Sequence, residues 1–253
     1  MRFATDRPVK IVMLGAGGTG AHIAPNLYRL LYSLDRPARV IVADGDSVEQ
    51  KNLVRQHFSP AELGMNKARA VAERYAGAFQ MEAEYVPDFI EDAARLTELV
   101  TPAVFRRSGQ NEKILETVAL IGAVDNNRSR RLCHEVFMDS RNLIYVDSGN
   151  GEFSGQVVCG VRRGGRTMLP PVGVLYPDVL EESDKFPSEL SCAEASVSAP
   201  QAITANLTAA TVVVDMIYNI LVLGELRAGQ VSFSTKSVRV QPVITTKSRR
   251  RAA

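Results

Sequence analysis

The 253-residue sequence has no tryptophan, and it has only three cysteines and three histidines. Cys133, Cys159 and Cys192 are odd in number and widely spaced, which argues against a disulfide framework and for a reducing compartment. No Cys-x-x-Cys pair occurs, so a four-cysteine zinc site cannot form within one chain and zinc is not expected. His22, His57 and His134 share no motif, no Ser-His-Asp pattern appears, and each histidine reads as structural. A strong charge of either sign is also missing. The net charge of +2 gives no reason to expect nucleic acid as a partner. The basic cluster Lys247, Arg249, Arg250 and Arg251 reads as a solvated end. No apolar leader-like run precedes residue 9. The longest apolar stretch, 207–223, carries Asp215 and Asn219, which suits a buried helix better than a membrane span. A cytoplasmic protein without a membrane partner is expected.

What remains is ordinary globular material, 45% hydrophobic and 23% charged, enough for a full α/β core. Residues 9–14 form an apolar run that ends in Gly15-Ala16-Gly17-Gly18-Thr19-Gly20. Helical spacing follows over 21–34, with Pro25 in the first turns, where a missing N–H is best tolerated. A strand is predicted at 39–43, a helix at 66–79, a strand at 81–86 and a helix at 91–100. Residues 101–112 read as a loop. The continuous apolar run 117–124 predicts a buried central strand, 128–138 a helix and 143–146 another strand. The alternation implies a Rossmann-like, mainly parallel sheet with helices on both faces. Beyond Gly149 the character changes. Strands rich in Val, Ser and Thr are predicted at 151–162 and 230–243, and a long proline-containing loop at 170–191. A long apolar crossover helix is predicted at 198–223. The chain therefore divides into a nucleotide-binding half at 1–149, a second half at 150–246 and a basic tail at 247–253, all within one domain.

Gly15, Gly17 and Gly20 satisfy G-x-G-x-x-G, and Asp44 closes the next strand. A glycine turn between strand and helix presents backbone N–H groups to an anion. Taken alone, these features fit a nicotinamide-dependent oxidoreductase equally well, and also a tight turn with no ligand. The following blocks separate these readings. They are Asp44-Gly45-Asp46-Ser47-Val48-Glu49-Gln50-Lys51-Asn52-Leu53-Val54-Arg55-Gln56, then Gly64-Met65-Asn66-Lys67-Ala68, then Ala123-Val124-Asp125-Asn126-Asn127-Arg128. In this order and spacing they resemble the ThiF/MoeB/ubiquitin-activating superfamily, in a compact bacterial-type form. The resemblance implies ATP-dependent adenylation of the C-terminal carboxylate of a ubiquitin-like protein or peptide with an extended tail.

The chemistry of these residues suits that expectation. Asp44 can accept from ribose hydroxyls. Asn52, Arg55 and Lys67 can hold phosphate oxygens, with Gly15, Gly17, Gly18, Gly20, Asp46, Gln56, Asn126 and Arg128 completing the ATP site. Asp125, after the buried strand, is the expected Mg²⁺ carboxylate. Arg131 either assists or caps a helix face. The resemblance returns at Ser191-Cys192-Ala193-Glu194. There it implies a thioester-forming or sulfur-handling role for Cys192, whereas a small packing residue in a loop is the plainer alternative. Cys133 and Cys159, inside a helix and a strand, are expected in the core. The resemblance also implies a homodimer and a downstream conjugating or sulfur-transfer protein. A nicotinamide oxidoreductase and a non-catalytic nucleotide- or protein-binding relative stay open as alternatives.

Overall fold

All six residues of β1 (Val9–Leu14) are buried. An apolar run with no solvated face must be covered on both sides, which places it in the middle of a parallel sheet. β1 pairs in parallel with β2 (Ala38–Ala43) on one edge and with β6 (Thr117–Gly122) on the other. β2 pairs with β3 (Glu84–Val86), and β6 with β7 (Leu143–Asn150), again in parallel. The order β3-β2-β1-β6-β7 reverses direction between β1 and β6. A crevice therefore opens at the carboxyl ends of those two strands. The computed structural model describes residues 1–106, 112–181, 185–189 and 201–243.

Side chains alternate along β1 and so divide the core in two. Ile11 and Met13 pack beneath α1 (Gly20–Tyr32) and α2 (Lys67–Phe79). Val12 and Leu14 pack on the other face beneath α3 (Ala93–Val100) and α4 (Asn127–Asp139). The predicted mainly parallel sheet with helices on both faces is what forms. Pro25 is the sixth residue of α1, past the first turn in which a missing N–H costs nothing, so the helix forgoes one bond there.

β7 runs to Asn150, past its predicted end, because β8 (Ser154–Arg163) turns back and pairs with its whole length. The division drawn at residue 149 thus falls inside β7, and one sheet is continuous across it. β8 carries β10 (Gln230–Ser234) and β9 (Arg166–Leu169) on its other edge. The single strand expected over 230–243 is a hairpin instead, since β11 (Arg239–Pro242) folds back on β10. Val238 closes its turn at a positive φ of 51°. The loop expected over 101–112 holds β4 (Val104–Arg106), paired with β5 (Lys113–Leu115). Three residues are too few to display a strand period. In the described part of 170–191 there are only short helical pieces: α5 (Val172–Leu175) and single turns at Pro177–Leu180 and Pro187–Glu189. Each of those turns has its proline at the first position, where no N–H is needed.

The crossover helix is α6 (Ile203–Leu221). It packs on the α1 face against α1, β7, β8 and β10. By length and composition this 19-residue helix could span a membrane, but half of it is buried in the core.

A candidate nucleotide site at the carboxyl ends of the central strands

The glycine turn is shaped by contacts that exclude side chains. Gly15 has φ +92°, and a Cβ there would lie 2.4 Å from the Ala123 carbonyl oxygen at the end of β6. A Cβ on Gly20 would lie 1.9 Å from the Gly15 carbonyl oxygen. Only glycines let β1, the end of β6 and the start of α1 meet so closely. Thr19, at the N-cap of α1, makes no side-chain cap. Its hydroxyl turns instead to Asn150.

Asp44 follows β2, as expected, and braces this turn. Its Oδ2 accepts from the Ala16 N–H at 2.6 Å and its Oδ1 from the Asp46 N–H at 2.9 Å. Burial pushes its carboxyl above the usual carboxylate range, while Lys67 and the two N–H groups act to lower it. Each oxygen keeps a further lone pair for a ribose hydroxyl. Asn66 explains the spacing of the next block. Its Oδ1 caps α2 by accepting from the Arg69 N–H at 3.0 Å, and its Nδ2 donates to the Asp44 carbonyl at 2.7 Å. Lys67, the next residue, is delivered buried into the site with Nζ 2.7 Å from Asp46 Oδ2.

Asn52 is also buried, but its Oδ1 accepts from the Glu49 N–H at 2.8 Å and shapes the turn that carries Arg55. Arg55 Nη1 donates to Gln201 Oε1, just before α6, at 3.1 Å. Gln56 is buried beside Gly17, its Nε2 3.8 Å from where a Cβ on that glycine would sit. Behind the turn, His22 Nε2 lies 3.3 Å from the Arg55 carbonyl. The His22 ring stacks on His57 with centroids 5.5 Å apart. Burial holds the His22 imidazole below its usual range, which suits a packing role.

Asp125 is exposed past the end of β6. Asn126 caps α4, its Oδ1 accepting from the Ser129 N–H at 2.7 Å. Arg128 lies over the Phe186 ring at 4.8 Å, and Arg131 pairs with Glu135 along the helix at 3.0 Å. Among the described residues no group of three or more His, Cys, Asp or Glu side chains could hold a metal. A single carboxylate such as Asp125 nevertheless suits Mg²⁺, which takes one or two carboxylates and completes its shell with phosphates and water.

The geometry thus ties Asp44, Asp46 and Lys67 to one another and to the glycine turn, with Gln56 beside Gly17. Arg55 and Asp125 are placed on separate turns at the same end of the sheet. Sequence reasoning missed a second layer. Arg130 Nη2 donates to the Val124 carbonyl at 2.6 Å, and its Nε lies 3.4 Å from Asp147 Oδ1. Tyr145 donates to Asp147 Oδ2 at 2.8 Å. A lone aspartate in the otherwise apolar strand at 143–147 was the available signal, because a buried carboxylate needs a partner. Asn150 and Asn206 were missed as well. Cys133 and Cys159 are buried and free, and burial pushes both thiols up to about 12. Cys192 lies outside the described residues.

The model of the ThiF family matches residues 7–251. The chain belongs to the ThiF family. Solved structures with the same fold include PaaA, at 18% identity and TM-score 0.62, over 92% of this chain and 62% of that one. MccB of E. coli with ATP gives 14% identity and TM-score 0.63, over 94% and 64%. MccB with AMPCPP and MccA gives 14% identity and TM-score 0.62, over 96% and 66%. The chain therefore spans just under two thirds of the length of these structures. No curated protein sequence matches it.

Proposed function

We propose that this ThiF-family chain uses ATP to adenylate the C-terminal carboxylate of a peptide or small ubiquitin-like protein. The supporting observation is Lys67, a buried ammonium held against Asp46 and beside Asp44 next to the glycine turn. A cation kept in the crevice suits a triphosphate and is unexplained by a nicotinamide dinucleotide. The relatives add support, since MccB has been solved with ATP, with AMPCPP and with MccA. The substrate carboxylate, ionised near neutral pH, needs no general base. Its oxygen bonds to the α-phosphorus, and the α–β bridging bond breaks with its electron pair leaving on pyrophosphate. Arg55, Lys67 and the turn N–H groups hold the phosphates in line and neutralise charge. Mg²⁺ on Asp125 would supply further neutralisation.

The test is exchange of labelled pyrophosphate into ATP in the presence of the host's peptide and small-protein fraction. Exchange that requires this fraction, and stops once carboxypeptidase has trimmed it, supports the reading. Nucleotide binding without exchange would favour a non-catalytic relative. Asp125→Ala should lower exchange by about 10²–10³-fold, the size of effect seen when charge stabilisation is removed from a transition state. Because Asp125 is exposed, its circular dichroism should stay unchanged. Wild-type exchange in that variant would remove Asp125 from the chemistry.

For a ubiquitin-like partner, the extended tail would pair with the β-rich surface of the second half. A thioester step would fall to Cys192, because the other two thiols are buried and held protonated. Cys192→Ala should keep pyrophosphate exchange and lose any reductant-sensitive adduct. A full-strength adduct in that variant would end the thioester role. A downstream conjugating or sulfur-transfer protein would then take the product. The free thiols fit a cytoplasmic setting. We also infer a homodimer, because Ile203, Leu207 and Tyr218 on α6 and Val222 just past its end are exposed apolar side chains. Light scattering at roughly tens of micromolar, a range that captures weak association, should give twice the chain mass, and a monomer there would defeat this.

A further inference from the structure

The polar groups that the activation chemistry leaves unused gather where the first turns of α6 meet the glycine turn. Asn206 is fully buried at 0% exposure, and it is the one polar residue on the buried face of α6. An amide in such a place is costly unless it is paired. Its Oδ1 accepts from Asn150 Nδ2 at 2.9 Å and lies 3.4 Å from the Thr19 hydroxyl. Its Nδ2 has no hydrogen-bond partner among the described residues. That nitrogen fills the space where a side chain on Gly18 would begin, 2.6 Å from the Cβ position. On the neighbouring glycine stands Gln56, buried and with its Oε1 likewise unpartnered. Two buried amides, each with an unused polar atom, therefore flank Gly17 and Gly18.

The contacts continue outward. The Asn150 carbonyl accepts from Gln201 Nε2 at 3.4 Å, and Gln201 Oε1 accepts from Arg55. Hydrogen bonds thus join Asn206 to Arg55 through Asn150 and Gln201. A half-satisfied buried network stabilises a fold less well than apolar packing of the same shape. Unpartnered buried atoms in a native structure call for an explanation. We propose that Asn206 is a positioning residue for nucleotide binding. It packs against Gly18 and, through Asn150 and Gln201, holds the Arg55 guanidinium, in one arrangement that receives the triphosphate. This inference rests on the nucleotide reading given above.

The experiment titrates the full chain with Mg·AMPCPP by calorimetry at about pH 8 and about pH 5.5, a window that a buried carboxyl's raised pKa can cross. Asn206→Leu keeps the shape and removes the polar atoms. It should bind about tenfold or more weakly at both pH values, because Asn150 Nδ2 then loses its acceptor and the link toward Gln201 and Arg55 is released. Asn206→Asp should bind weakly at the higher pH. At the lower pH it should recover relative to wild type, because the protonated carboxyl is again a neutral donor and acceptor. A purely structural role would show no such recovery. Gln201→Leu, at the half-buried end of the network, should bind about threefold or more weakly and decides the matter if the Asn206 variants do not fold. Wild-type protein that fails to bind Mg·AMPCPP would overturn the nucleotide reading itself. Wild-type binding with unchanged affinity in folded Asn206→Leu, or in Gln201→Leu if the Asn206 variants do not fold, overturns the role of Asn206 alone.

Discussion

Lys67→Met is expected to weaken Mg·ATP binding about 100-fold at pH 8, within the range for removing one buried, hydrogen-bonded charge from contact with an oppositely charged partner. The reason lies in what Lys67 faces. Its ammonium sits 2.7 Å from Asp46 and lowers the otherwise raised Asp44 carboxyl. Without it, two carboxylates would meet an incoming triphosphate with no ammonium between them. Methionine keeps the packing of the stem, so the loss reports the charge. The variant should also acquire a pH dependence. The Asp44 carboxyl is already raised by burial, and losing Lys67 raises it further. A carboxyl raised in the folded state contributes stability that is present at low pH and is lost as pH rises through its folded pKa. In Lys67→Met, both stability and nucleotide affinity should therefore fall more steeply with rising pH than in wild type. Calorimetric titrations across that range check both, and wild-type affinity at pH 8 would take Lys67 out of the phosphate site.

The parts of this site that could be read from sequence are those set by local chemistry. The turn 15–20 needs glycine at fixed places, and Gly15 and Gly20 are where the backbone closes on Ala123 and on itself. Lys67 was legible as the cation of the block Gly64-Met65-Asn66-Lys67-Ala68, whereas the cap at Asn66 that fixes where its side chain begins appears only in the fold. The parallel strands were legible because burial on both faces leaves continuous apolar runs. What escaped depends on distant partners. Asn150 and Asn206 are 56 residues apart, and nothing local marks them as a pair. The hairpin of β4 and β5 escaped because three-residue strands carry no period. Asn52 and Arg55 were legible as polar residues near the site. That Asn52 spends its oxygen on shaping a turn, and that Arg55 reaches Gln201, depended on how the turn folds.

Arg130 gives the largest expected effect on stability and separates it from function. Asp147 is 1% exposed, and Arg130 is the cation beside it. Breaking such a pair from one side leaves a buried charge uncompensated, so Arg130→Met should cost about 3–5 kcal/mol. Burial already raises the Asp147 carboxyl, and Arg130 acts to lower it. Its removal lets the carboxyl rise further, so the deficit should be small at low pH and grow as pH rises through the folded pKa. Urea unfolding at acidic and alkaline pH measures this, and a deficit that stays constant with pH would mean that Asp147 is not the cause. The double variant Arg130→Met/Asp147→Asn removes the charge and keeps an acceptor for the Tyr145 hydroxyl, so most of the stability should return. Activity should not return with it. Arg130 also donates to the Val124 carbonyl, the peptide group that joins Val124 to Asp125. Without that anchor the turn after β6 loses its fixed orientation, and pyrophosphate exchange should stay depressed in a protein that unfolds like wild type. Recovery of exchange together with stability would show that Arg130 serves only the buried pair.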